Sequence, residues 1–224
     1  MTKVIFLGHS ANIQRHLEIC ELTGITPVGF VDKHYFGNTP ELDGLPVIGS
    51  ELDISSVRKQ YPDCVYFVGL SGTLCNPARR HSLGDLVEQY KLPTINLIHP
   101  SCVVGKHTNL GHGIFIDALC RIQNYSTIGN FAFIKEQCCV THHVTIGKGT
   151  VICQQSYVGS NVTIGDHCYI GIKNAVLAPE DPIVIGNECI SHPGVTIMRS
   201  LPSGTTAKIA TSHGTGIHPP TVYM

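Results

Sequence analysis

Among the 224 residues, the adjacent pair His142-His143 is the arrangement best suited to proton transfer. An imidazole titrates near neutral pH, so it can take a proton from an attacking amine or hydroxyl and release it within one reaction. The other histidines of the thirteen are scattered. The ten cysteines include no C-x-x-C pair, which argues against a zinc site or a redox motif. A second place where residue types invite chemistry is Gly8-His9-Ser10-Ala11-Asn12, a turn whose amides can meet a phosphate at a helix start. It lacks the three glycines of a dinucleotide fingerprint, which points away from NAD and leaves a mononucleotide or nucleotide-sugar. Asp32, which closes a strand further on, can accept hydrogen bonds from a ribose or a base.

The element that must position His142 is a repeat. Val104, Leu110, Ile116, Ile122, Ile128, Ile134, Val140, Ile146, Ile152, Val158, Ile164, Ile170 and Val176 recur at an unbroken spacing of six. That period fits neither a helix nor an alternating strand, but suits a short strand plus a turn coiling around an apolar axis. Four positions after each aliphatic stands a mostly small residue, such as Cys120, Ser126, Ala132, Cys138, Ser156 and Cys168. The cysteines of this series read as small buried hydrophobes. Glycine often follows the aliphatic, as at Gly129, Gly147 and Gly159, where a corner needs positive φ or close backbone approach. After Val176 the frame slips at 179–182 and resumes three residues late at Ile185-Gly186, which predicts a loop extruded from one corner and a last partial coil through Ile197. His142 lies two residues past a core-facing position and so projects outward, with Asn124 and Ser160 stacked one coil below and above to orient its ring.

Residues 1–96 read differently. Lys3 to Leu7 predicts a buried strand, 12–22 a helix closed by Gly24, 28–31 a second strand ending at Asp32, Cys64 to Val68 a third, and 79–90 a further helix. This order predicts a small Rossmann-like parallel sheet with ligand binding at its carboxyl edge. Gly8, Ser10, Asp32, Lys33, Gly69, Leu70 and Ser71 are the expected substrate-binding residues there. The three expected parts are 1–96, a β-helix over 97–210, and an irregular Gly/Pro/Thr-rich tail over 211–224.

A net charge of −1 with 14% charged residues predicts neither nucleic acid nor an anionic membrane as partner. Residues 1–8 hold one lysine and a four-residue apolar run, too short for a signal peptide or a spanning helix, and a soluble cytoplasmic protein is expected.

The layout of α/β region, Ile98-His99-Pro100-Ser101 connector and hexapeptide coils resembles the bacterial left-handed β-helix sugar acyltransferases, which include nucleotide-linked amino-sugar N-acetyltransferases and sialic acid O-acetyltransferases. The most specific stretch is Val140-Thr141-His142-His143-Val144-Thr145-Ile146-Gly147. The resemblance implies that His142 is the catalytic base, with His143 beside it where relatives usually carry an acidic residue. It also implies acetyl-CoA as co-substrate along Val151, Gly159, Ile172, Pro193 and Gly194, and a homotrimer with active sites between subunits. Val151 stands where some relatives have a second histidine, and Lys135 where an asparagine is common.

Acetyl transfer needs a base, donors for a tetrahedral oxyanion and alignment of two substrates. A neutral amine is already nucleophilic, whereas a sugar hydroxyl needs more help from the base. A histidine without a carboxylate neighbour therefore favours N-acetylation of a nucleotide-linked amino sugar, expected to be a 4-amino-4,6-dideoxyhexose destined for surface glycan. Two alternatives are O-acetylation of a sialic-acid-like sugar and a trimeric scaffold or binding protein whose transferase site has decayed.

Overall fold

The computed structural model describes residues 1–70 and 77–208. The chain divides into two compact units, Met1–Pro100 and Ser101–Met224.

In the first unit, β1 (Lys3–Leu7), α1 (Gln14–Thr23) and β2 (Thr26–Val31) follow one another, then a short hairpin of β3 (Glu41–Leu42) and β4 (Leu45–Gly49). After them come α2 (Ile54–Gln60), β5 (Cys64–Val68) and α3 (Pro77–Gln89). The sheet order is β3-β4-β2-β1-β5, parallel except for β3 against β4. The central strand β1 pairs on both sides, and its Val4, Ile5, Phe6 and Leu7 are fully buried. That explains why it reads as a continuous apolar run rather than an alternating one. Gly24 ends α1 in the left-handed region at φ 68°, with its N–H turned back onto Cys20 and Glu21. Pro77 opens α3, where a missing N–H costs nothing. The hairpin and α2 are additions to the predicted order. Their strands and helix are too short to impose a period on the sequence.

In the second unit two- and three-residue parallel strands stack into three sheets, each coil giving one strand to each sheet. The register is one coil of eighteen: Arg121 pairs Cys139, Thr127 pairs Thr145, and Phe133 pairs Val151. Ile122, Ile128, Ile134, Val140, Ile146, Ile152, Val158, Ile164 and Ile170 are at most 1% exposed, so the six-residue aliphatic series is the core. The small series caps the coil as well as filling it. The side chains of Ser126, Thr150 and Ser156 donate to the carbonyls of Thr141, Gly165 and Gly171 at 2.7–2.8 Å, and Cys120 and Cys138 donate to Lys135 and Cys153 at 2.9 and 3.0 Å. All nine described cysteines are free thiols. Burial pushes the Cys168 thiol up to about 11, so it is a packing group and not a nucleophile.

The corner glycines resolve into one of the two expected roles. A Cβ on Gly147 would stand 2.4 Å from the backbone of Gly165, so these glycines serve close approach between coils. Positive φ belongs two residues later, at Leu119, Tyr125, Phe131, Gln137, His143, Gln155, Asn161, His167 and Lys173, all between 55° and 64°. The predicted slip is present, since Ile164 pairs with Ile185 across the 179–182 insertion. The coil continues past Ile197, with Thr206–Ala207 pairing Ile190–Ser191. This last coil bonds across sixteen residues rather than eighteen, which hides it from a fixed six-residue frame.

Candidate active site

His142 and His143 occupy one corner of the coil, between the strands Cys139–Val140 and Thr145–Ile146. Thr141 before them is buried and bonded at its N–H and hydroxyl to the carbonyl of Val158, and Val144 after them is buried. The corner is therefore pinned on both sides while both imidazoles stay exposed. They border an open groove of about 510 Å³ lined also by Val103, Arg121, Gln123, Asn124 and Tyr125. Inside it, Nδ1 of His142 lies 2.9 Å from Nδ1 of His143, with the rings nearly perpendicular at 86°. His143 stacks on Tyr125 at 5.4 Å, and Tyr125 on His107 at 5.5 Å, so three coils contribute one ring each to a column.

Asn124 shares the groove with His142, but its Oδ1 accepts from the backbone N–H of His107 at 3.1 Å. Ser160 lies in the same column of the coil, half-buried. The direct side-chain partner of His142 is its neighbour in sequence. The i to i+1 contact arises because the left-handed φ of 57° at His143 turns its ring back across the corner.

The residues expected along the coenzyme A path separate into groups. Ile172, Pro193 and Gly194 meet at one corner, where the Gly194 N–H donates to the Ile172 carbonyl at 2.8 Å. Gly159 lies elsewhere, at the start of the corner in the His142 column, its N–H bonded to Val176. Val151 sits on a wall between Phe133 and Tyr169 and is only 3% exposed, so its side chain is a packing group within this chain.

In the first unit the carboxyl ends of β2, β1 and β5 are tied together by backbone bonds from Gly8 to Val31 and from Gly69 to Leu7, each 2.9 Å. The Ser10 hydroxyl donates to the Gly69 carbonyl at 3.1 Å, and Leu70 is buried beside Gly8. Gly8, Ser10, Gly69 and Leu70 thus share one sheet edge, while Ser71 lies outside the described residues. Asp32 was expected to face a ligand and is instead fully buried. Its carboxylate accepts the N–H groups of His9 and His34, both at 2.9 Å, and Arg79 at 2.7 Å. It holds the loops of this edge together from behind. The reason is its position at the end of β2 in the middle of the sheet, where a charge must be paired. Lys33 beside it is exposed, its N–H donating to Glu51.

Sequence reasoning missed three contributors here. Arg79 bridges Asp32 and Glu51, His9 pairs with Asp43 at 2.6 Å, and Gln14 donates to Asp43 at 2.7 Å. Those bonds hold Asp43 below its ordinary carboxylate value, the His9 hydrogen bond contributing most. Among the described residues, no three His, Cys, Asp or Glu side chains group as metal ligands, and no helix is long and apolar enough to cross a membrane.

A coil of hexapeptide turns preceded by a sheet with helices, and carrying an exposed histidine at a corner, defines a class: the structural neighbours of this chain are bacterial hexapeptide-repeat sugar acetyltransferases. The resemblance read from Val140 to Gly147 is borne out at the level of the whole chain. A histidine-to-alanine variant of GDP-perosamine N-acetyltransferase from Caulobacter crescentus, in complex with CoA and GDP-perosamine, superposes with a TM-score of 0.82 at 25% identity, covering 93% of this chain and 94% of that one. PerB from the same organism, with the same two ligands, gives 0.81 at 25% identity over the same shares. The acetyltransferase domain of PglB from Neisseria gonorrhoeae, in complex with acetyl coenzyme A, gives 0.79 at 20% identity, covering 92% of this chain and 95% of that one. Neither a scan against protein-family models nor a search of curated proteins returns a match.

Proposed function

We propose that the protein is an acetyl-CoA-dependent N-acetyltransferase acting on a nucleotide-linked amino sugar, with His142 as the base. The observation that carries this reading is an exposed imidazole at a pinned corner of a chain that resembles, over 93% of its length, an enzyme bound to CoA and GDP-perosamine. The acceptor amine attacks the thioester carbonyl, forming a C–N bond and a tetrahedral oxyanion. Nε2 of His142 takes the proton that the attacking nitrogen sheds, the C–S bond breaks, and CoA leaves as a thiol after protonation. No carboxylate lines the described groove, which suits an amine better than a hydroxyl.

The finer reading is a Rossmann-like domain (1–96) followed in sequence by a left-handed coil (97–210), assembled as a cytoplasmic homotrimer that serves surface-glycan synthesis. In it the acceptor is a 4-amino-4,6-dideoxyhexose. The sheet edge of Gly8, Ser10, Lys33, Gly69 and Leu70 takes the nucleotide, with Asp32 organising that edge from beneath. Ile172, Pro193 and Gly194 contribute a coenzyme A contact.

The test is thiol release from acetyl-CoA with GDP-perosamine, UDP- and dTDP-linked 4-amino sugars, and a free nonulosonate. Turnover with a nucleotide-linked amine supports the proposal. Turnover confined to the free nonulosonate would replace it with O-acetylation, and no turnover or acetyl-CoA binding at all would leave a scaffold. Light scattering at about three times 24.2 kDa is the expected assembly, and an active monomer would overturn it.

A further inference from the structure

We propose that His143 is the positioning residue for His142, its Nδ1 accepting the Nδ1–H of His142 so that the unprotonated Nε2 of His142 faces the acceptor. This deepens the reading of His142 as base and rests on it. Two ring nitrogens 2.9 Å apart share one proton between them. If His143 donated it, His142 would carry its own proton on Nε2 and offer no lone pair to the groove. If His142 donates, Nε2 is free and the ring is already in the tautomer a base requires. The partner that selects the second arrangement must itself be fixed. His143 is held by its left-handed backbone and by the Tyr125 and His107 rings stacked beneath it.

Once Nε2 takes a proton, the Nδ1–H of His142 still points at His143, and the bond becomes charge-assisted. A neutral acceptor supports the imidazolium less than a carboxylate does. Among the described residues, the other charged or titratable groups lining the groove are Arg121 and Tyr125, and His107 stacks on Tyr125. None of these adds negative charge at neutral pH.

The experiment is long-range ¹⁵N–¹H NMR of the ligand-free full chain, labelled at histidine, with the His142 signals assigned from their loss in His142→Ala. The expected spectrum at pH 8 shows His142 protonated at Nδ1. His143→Ala and His143→Gly should both move it to the Nε2–H form and lower kcat about tenfold, with KM for both substrates held. Glycine tolerates positive φ, so the two variants separate loss of the acceptor from backbone strain. His143→Asn, which keeps an acceptor and also tolerates that backbone, should retain the Nδ1–H form. His143→Asp should move the acid limb of the pH–rate profile upward. A wild-type His142 protonated at Nε2, or a His143→Gly chain with the same tautomer and pH profile as wild type, would overturn the proposal. The NMR result needs no substrate, so a failure to acetylate any sugar sinks the functional reading separately.

Discussion

The coil and the α/β unit each fix polar side chains in place, but by opposite means. In the coil, the neighbour of any residue is found by adding one turn: Gln155 bonds Gln137, Lys148 bonds Asp166, and Tyr125 stacks on His143, each pair eighteen apart. In the α/β unit, Arg79 reaches Asp32 across 47 positions and His9 reaches Asp43 across 34, with no rule relating one pair to the other. A periodic scaffold makes geometry cheap to specify and repeats its errors locally. An aperiodic one concentrates its specification in a few irreplaceable pairs.

That contrast predicts where each unit breaks. Ile152 is fully buried between Ile134 and Ile170, which are equally buried and cannot close over a void. Ile152→Ala should lower stability by about 4 kcal/mol, measured by urea unfolding. A loss below about 1 kcal/mol would mean that the coils slide to fill the gap. Asp32→Ala should cost about 3 kcal/mol, because it strips two N–H groups and Arg79 of a buried partner. The aliphatic lesion is one of many equivalent positions, while Asp32 joins two loop N–H groups and Arg79 at one buried point.

Activity sharpens the same comparison. His142→Ala should reduce kcat by roughly 10²-fold, about 2.7 kcal/mol in barrier, with KM nearly unchanged and with no loss of melting temperature. An exposed corner residue carries chemistry without carrying the fold. If His142→Ala also melts early, the corner is structural and the assignment of the base fails. Backbone conformation gives a smaller effect. Glu188 is exposed and sits at a left-handed corner with φ 57°, so Glu188→Asn should raise stability by about 0.5 kcal/mol. No gain would show that the corner strain is already relieved by its neighbours.

What was legible in the sequence follows from the same division. The thirteen aliphatics fixed the coil, its register and the outward placement of His142, because one rule governs the whole span. The left-handed corner residues were harder to read, since Leu119, Tyr125, Phe131 and His143 are not turn-formers, and their φ is imposed by the coil rather than by residue type. For that reason the sequence presents His142 and His143 as a pair by adjacency alone, and the bond between their rings comes from the structure. In the α/β unit the three main strands were visible from their apolar runs. The hairpin at Glu41–Gly49 and the partners of Asp32 were not, because ion pairs between distant loops leave no periodic trace.

The hairpin offers the smallest and most discriminating effect. Asp43 stands at its turn with φ 48° and joins it to the loop after β1 through His9 and to the start of α1 through Gln14. Its folded pKa lies below the ordinary value near 3.9, so the ionised form is favoured by folding. The stabilisation is therefore fully present above that ordinary value and is lost as pH falls through the lower folded value. Asp43→Asn should be less stable than wild type by under about 1 kcal/mol near neutrality, because the side chain is partly exposed and screened. The gap should close as pH falls below about 4 and wild-type Asp43 is protonated. Salt should narrow it as well. A gap at Asp43 that persists unchanged to pH 3 would mean that the hairpin is held by its turn and not by the His9 pair.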